Sequence, residues 1–219
     1  GRSVNESGVA KLLNDKIPPM DEAALINDAK HGDLDSFNRL VIGYQDKLYN
    51  TAYRILGDSE LAADATQEAF ISAFRKLKSY RGGSFKAWLL RIVTNACYDE
   101  LRRKKRRPTT PLEPLTENDE EMESPRWLTD PGASPEKQVE TFELEQAIQN
   151  CIEALPPDFR AVVVLTDMQG LDYKEAATAL KKPLGTIKSR LARARLRLRD
   201  CLQSVRELLP AAFRLDEES

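Results

Sequence analysis

The stretch LDYKEAATALKKPLGTIKSRLARARLRLR, residues 171–199, sets the fold class. Asp172, three residues before Glu175, has the spacing of a helix N-cap, and Tyr173, Ala176, Ala177 and Leu180 give a short helix an apolar stripe. Residues 181–185 supply a break containing Pro183 and Gly185. The next helix then buries Ile187, Leu191, Ala194 and Leu198, at steps of four, three and four. A short helix, a tight turn and a second helix with a basic outer face form a helix-turn-helix, whose second helix suits a major groove. From Lys181 to Arg199 there are eight positive charges and no negative one, in a 219-residue chain whose net charge is -2. That local excess is the footprint of a phosphate-backbone partner. Membranes and acidic proteins also attract basic helices, but a membrane-facing helix would want bulk where this one has Ala192 and Ala194.

Upstream of this stretch the period is again helical, so the chain is expected to be all-α. Helices are predicted over residues 21–31, 36–56, 59–80 and 84–107, closed in turn by Gly32, Gly57, the RGGS run at 81–84 and Pro108. Between residues 108 and 140 the periodicity vanishes and six prolines appear. Nine acidic residues there face only Arg126 and Lys137, a net charge of about -7. Such a segment reads as an extended acidic linker between two small helical domains. Helical pattern resumes at about Val139, breaks at Pro156 and Pro157, and continues over 159–169 to Gly170.

The fourth predicted helix carries Arg91, Asn95, Tyr98, Asp99, Arg102 and Lys105 at three- and four-residue steps, which assigns them one face, with Trp88, Ile92 and Ala96 on the other. Asn, Tyr and Arg beside aromatic rings suit unstacked bases, because an amide pairs with a base edge and a ring stacks on it. Core packing is the competing reading of Trp88 and Phe70, and the residues alone favour it. Cys97, Cys151 and Cys201 stand far apart without CxxC spacing and are expected to be reduced, buried and structural. The single histidine, His31, is expected to sit at a helix end before Gly32. No signal peptide and no membrane span are visible, so the chain is expected to work in the cytoplasm, with no metal, cofactor or small-molecule substrate.

DATQEAF at 64–70, FKAWLLRIVTNACYDELRR at 85–103 and LPPDFRAVVVLTDMQGLDYKEAATALKKPLGTIKSRLARAR at 155–195 resemble regions two and four of bacterial sigma factors of the extracytoplasmic function (ECF) group. The resemblance implies an N-terminal extension or expression remnant at 1–19 and a region 2 domain at 20–107. An acidic linker at 108–139, a region 4 domain at 140–209 and a tail at 210–219 follow. It implies that Asp64, Gln67 and Glu68 dock on the clamp helices of the largest subunit of core RNA polymerase. Phe70, Trp88, Asn95, Tyr98, Arg102 and Arg103 are assigned to minus-ten DNA, with Asn95 near an extruded base, Phe70 lining its pocket and the loop at 79–84 capturing it. Lys188, Ser189 and Arg193 match base-reading positions at the minus-thirty-five element, and Thr186 and Arg190 backbone-contacting ones. Region four would also dock on the flap of the second-largest subunit, and the linker would thread the polymerase cleft. An anti-sigma factor is a further implied partner. Phosphoryl transfer would stay with the polymerase, so no catalytic residue is expected. Two other readings stay open. A stand-alone helix-turn-helix regulator explains only 160–199, and a metal-dependent nuclease using Asp58, Asp64 and Glu68 lacks a converging partner elsewhere.

Overall fold

The computed structural model describes residues 21–106 and 135–205, and every regular element among them is helical. The expectations for the N-terminal extension, for most of the acidic linker and for the tail lie outside the described residues. Helix α1 is Glu22–Lys30, capped by Asp21, whose carboxylate accepts from the Ala24 amide at 3.2 Å. At its other end His31 Nδ1 donates to the Asn27 carbonyl at 2.8 Å, the helix-end role expected of it. Asp33 then caps α2, Leu34–Leu56, which stops at Gly57 in the left-handed region, and Asp58 immediately caps α3, Ser59–Lys76. Asp58 is thereby a structural cap, its carboxylate accepting from the Leu61 amide at 3.0 Å.

A 3-10 turn, Leu77–Ser79, ends α3 earlier than the period suggested, and α4 spans Phe85–Arg106. Helix α2 packs against α1, α3 and α4, burying Leu40, Leu48 and Ile55 against Phe85, Leu89, Leu90 and Val93. Cys97 is buried on α4 as a free thiol, and desolvation pushes its pKa up to about 12.

Helix α5, Pro135–Glu153, begins four residues before the expected Val139. A proline at the first helical position has no amide to satisfy and a preset φ, so the Pro-containing segment runs into a helix instead of ending before one. Helix α6 is Pro157–Val163, and its continuation widens into a π-helical turn, Val164–Met168, where the Gln169 amide donates to the Val164 carbonyl at 2.9 Å. Asp172 and Glu175 close a reciprocal capping box on α7, Tyr173–Leu180. The last helix, α8, is Leu184–Ser204.

The break between α7 and α8 differs from the expected one. Gly185 lies inside α8, and the residue in the left-handed region is Lys181, at φ 52°. The Lys182 amide donates to Ala177 and the Lys181 amide to Thr178, a Schellman closure that holds the strained lysine. The cysteine expectation is also corrected. Cys97 is a free thiol, but Cys151 on α5 and Cys201 on α8 form a disulfide, with Cα atoms 5.7 Å apart. Nothing in the local period could announce a pairing across 50 residues.

Candidate nucleic-acid interface

Helices α3 and α4 flank a cavity of about 460 Å³ lined by Glu68, Ser72, Trp88, Arg91, Asn95 and Asp99, among others. Ile92 and Ala96 line it as well, so the two faces expected on α4 are neighbouring ridges of one cavity wall. Trp88 is half-buried, its ring 5.3 Å from Tyr80 and 5.4 Å from Phe85, which fixes its plane at the rim. Asn95 is exposed, as a base-pairing amide must be. Phe70, expected beside it, packs half-buried against the core and is not among the residues lining the cavity. The loop carrying Gly82 and Gly83, both at positive φ, is tied by the Tyr80 hydroxyl donating to the Gly83 carbonyl at 2.6 Å. Arg102 and Arg103 lie on the exposed last turns of α4, each paired three residues back, with Asp99 and Glu100. On the outer face of α3, Asp64, Gln67 and Glu68 are exposed together, while Ala62, Ala65 and Ala69 turn inward.

On α8, Ile187, Leu191 and Ala194 are buried, which leaves Lys188, Ser189 and Arg193 on the exposed side. The remaining cations of this helix have partners. Arg195 forks onto both oxygens of Asp167 at 2.9 and 2.6 Å, and this pairing raises its pKa. Arg197 lies 5.2 Å over the Phe159 ring, and Arg199 meets Asp200 at 3.2 Å. Arg190 pairs with Asp158 at 2.8 Å, while Thr186 is half-buried at the helix start. Among the described residues, Lys188 and Arg193 have no acidic partner. The helix is thus neutralised along its flank and left cationic at its leading edge.

The two helical units touch through polar groups that the sequence did not announce. Arg160, buried on α6, donates to the carbonyls of Ile55, Glu153 and Leu155, and its burial lowers its pKa. Arg54 on α2 pairs with Glu145 and donates to Gln149 at 3.1 Å. Gly57 is so closely covered that a Cβ there would meet the Glu153 carboxylate at 2.4 Å. Lys86 donates to the Gln169 carbonyl, and Lys181 from the helix-turn-helix break reaches the α3–α4 cavity. Asp158 accepts from Arg190 and, at 3.4 Å, from the Tyr98 hydroxyl, so one carboxylate joins a residue assigned to each DNA-reading surface. The only advance signal was Arg160 itself, a lone cation before an apolar run.

Among the described residues no group of His, Cys, Asp and Glu is placed to hold a metal ion, and no helix is long and apolar enough to cross a membrane. The family model for Sigma-70 region 2 matches residues 40–107, and that for Sigma-70, region 4 matches residues 145–198. The chain is 38% identical over 194 residues to the ECF RNA polymerase sigma factor SigE of Mycolicibacterium smegmatis, covering 86% of this chain and 72% of that one. It is 37% identical over 181 residues to the RNA polymerase sigma-H factor of Pseudomonas aeruginosa, covering 82% and 92%. Among solved structures, CnrH in complex with the cytosolic domain of CnrY has a TM-score of 0.57 at 22% identity, covering 84% of this chain and 97% of that one. The sigma factor RpoE of Bartonella quintana, in complex with the anti-sigma factor NepR, has the same TM-score at 23% identity and covers 77% and 98%. The two structures share the fold, and the identity to the sigma factors carries the assignment: the chain belongs to the ECF RNA polymerase sigma factors, which direct promoter-specific initiation of transcription.

Proposed function

We propose that the two surfaces divide promoter work between them, α8 reading the upstream duplex element and the α3–α4 cavity receiving an extruded base of the minus-ten element. The observation that carries this is the distribution of partners on α8. Arg190, Arg195 and Arg199 are held by carboxylates, whereas Lys188 and Arg193 stand exposed without one, beside Ser189. Unpaired donors on the leading edge of a helix-turn-helix suit guanine edges, which offer two acceptors in the major groove. In the cavity Asn95 would pair with the extruded base, Trp88 would border it, and Tyr98, Arg102 and Arg103 would follow the strand along α4. Phe70 would support this wall from the core side. Thr186 and Arg190 would hold phosphates beside the upstream element.

Asp64, Gln67 and Glu68 form the face offered to the clamp helices of the largest polymerase subunit, and the 140–209 unit is offered to the flap of the second-largest. The 1–19, 20–107, 108–139, 140–209 and 210–219 division expected from the resemblance describes the same two grips and their connections. Sigma factors are non-catalytic initiation subunits, and this chain leaves the chemistry to the polymerase. Two elements some 25 base pairs apart lie roughly 85 Å from each other along B-DNA. With Asp158 joining Tyr98 to Arg190, the described arrangement cannot span that distance, so the units separate when both grips engage. The 28 residues between the described segments reach at most about 95 Å when extended, which is enough. The chain acts in the cytoplasm, and an anti-sigma factor, as NepR is to the solved Bartonella quintana RpoE, would cover the polymerase-facing surfaces before release.

The test is transcription with purified core polymerase on promoters from the source genome. Initiation at defined start sites is expected, and permanganate should modify thymines in the opened minus-ten region. Asn95→Ala should retain duplex binding and lose most of that reactivity. No initiation at any promoter would remove the promoter reading, and equal opening by Asn95→Ala would remove Asn95 from base capture.

A further inference from the structure

Helix α8 has fully buried side chains only in its first half, and Leu198 packs half-buried against both hydrophobic clusters. Ile187, Leu191 and Ala194 are buried, but no residue from 195 to 204 is, and Leu198 is the one apolar side chain among 195–200 that is even half-covered. This is also where Arg195, Arg197 and Arg199 follow Arg193, their charges met by Asp167, the Phe159 ring and Asp200. The covalent bond from Cys201 back to Cys151 on α5 sits at the end of this weakly held stretch. Its two sulfurs are not equivalent. Cys151 is 2% exposed among core residues next to Ile152, whereas Cys201 is only half-buried.

We propose that Cys151 and Cys201 form a reversible redox site, closed by hydroperoxide-class oxidants and opened by dithiol reductants, that braces the C-terminal half of α8 on α5. The difference in exposure sets the order of events. The Cys201 thiolate attacks one peroxide oxygen; the O–O bond breaks, leaving a sulfenic acid on Cys201 and, after protonation, water or an alcohol. Cys151 then loses its proton and attacks the Cys201 sulfur. The S–S bond forms, the S–O bond breaks, and the departing hydroxyl takes a proton and leaves as water. Two thiols lose two electrons and one peroxide gains them. On reduction a dithiol attacks the sulfur of the less buried Cys201, Cys151 leaves as the thiolate, and the second thiol of the reductant then attacks the reductant's own sulfur in the mixed disulfide and releases Cys201 as the thiolate. Lys188, Ser189 and Arg193 belong to the separately buried first half of α8, so the bond governs the order of the helix end and not the identity of the base-reading side chains. The inference does not rest on the promoter reading, and the experiment below requires neither promoter nor polymerase.

The experiment uses the full chain carrying Cys97→Ser, so that only the pair remains. Hydrogen peroxide should yield a monomer 2 Da lighter whose peptide map joins Cys151 to Cys201, and dithiothreitol in native buffer should reopen it. On reopening, amides of residues 196–204 should exchange at least roughly tenfold faster, and Tm should fall by roughly 10 °C or more. In the same background Cys151→Ser should trap a dimedone-reactive sulfenic acid on Cys201, while Cys201→Ser should leave Cys151 unreactive. The proposal is overturned by thiols that stay alkylatable after peroxide or by disulfide-linked dimers. It is equally overturned by a bond that dithiothreitol cannot open in the folded chain, or by exchange at 196–204 that is the same in both states. Circular dichroism of each single-cysteine variant shows whether the fold that buries Cys151 is kept; where it is not, the peptide map after peroxide and the exchange at 196–204 of the oxidised and reduced Cys97→Ser chain decide.

Discussion

The α1–α4 unit and the α5–α8 unit are both helical bundles, yet they are held together differently. The first closes on large side chains of its own. Leu40, Leu48, Ile55, Leu77, Phe85, Leu89 and Leu90 are all essentially inaccessible and belong to one cluster. The second has a private core of only Leu155, Val162, Val163, Ala176, Ile187, Leu191 and Ala194. Of its other buried apolar residues, Ile152, Ala161, Val164, Leu165, Leu171 and Ala179 join the cluster of the first unit. A small bundle that lends so many of its buried apolar residues to a neighbour needs other supports. Here they are the disulfide, the buried Arg160 and the capping box. The second unit is therefore the one that depends on what covers it. If it leaves the first unit to grip DNA, its shared face must be covered by another surface, which the polymerase flap would provide.

The largest effect should come from deleting core volume in each unit. Leu48→Ala and Leu191→Ala both remove a side chain that is at most 2% exposed, and each should cost about 2–5 kcal/mol. Their footprints should differ. By native-state hydrogen exchange Leu191→Ala should lower protection in α6–α8 while α2–α4 keep theirs, whereas Leu48→Ala should lower both, since the shared cluster is anchored in the first unit. Equal loss of protection everywhere in both variants would make the chain one cooperative block and dissolve the comparison.

Next in size is Arg160→Leu. Two buried carbonyls, those of Ile55 and Leu155, and the partly buried one of Glu153 would lose their donor, at about 1–3 kcal/mol for each buried group left unsatisfied. The net cost should be smaller, about 3 kcal/mol, because Arg160 Nε has no partner among the described residues and its own desolvation is relieved. Urea unfolding followed at both units would show it, and a loss below about 0.5 kcal/mol would mean that water takes over the carbonyls.

What the sequence made legible was what repeats locally. The ends at Gly57 and Gly170, the Asp172–Glu175 cap and the first three apolar steps of α8 are encoded within a few residues and were found there, while the fourth, Leu198, is only half-buried. Local pattern misled where two breakers competed. The break expected over 181–185 begins at Lys181 as read but ends at Pro183, because Gly185 continues α8 and hydrogen bonds back to Ala177 and Thr178 complete the turn at Lys181. The exposed surfaces could be placed because the residues opposite them are buried, as with Lys188 and Arg193 against Ile187 and Leu191. Groups that meet across the fold could not be read. Cys151 with Cys201, Arg160 with Ile55, and Asp158 with both Tyr98 and Arg190 depend on how helices dock, which no periodicity specifies.

Arg193→Ala tests whether the exposed edge of α8 carries information or only charge. Loss of a paired base contact should reduce discrimination between the cognate upstream element and a scrambled duplex by about 1–3 kcal/mol, leaving the fold intact because the side chain touches no core residue. Competition binding at fixed salt measures it. Weaker binding to both duplexes with unchanged discrimination would assign Arg193 to phosphate.

The smallest expected effect concerns the seam between the units. Asp158 is partly exposed, at 45% of its side chain, and a pair of that kind with Arg190 contributes about 0.2–1 kcal/mol. The Tyr98 hydroxyl, protonated at neutral pH like any phenol and with its pKa raised further by burial, adds a weaker contact from α4 as the donor. If the carboxylate holds the units closed and occupies a phosphate-binding arginine, Asp158→Ala should raise the affinity of the free chain for the upstream duplex by up to about fivefold, the population shift that 1 kcal/mol allows. Tyr98→Phe removes only the contact that crosses between units and should give a smaller gain in the same direction. A loss of affinity in Asp158→Ala would reverse the reading: the carboxylate would then be orienting Arg190 for DNA, and the seam would be a by-product of that orientation instead of a restraint on it.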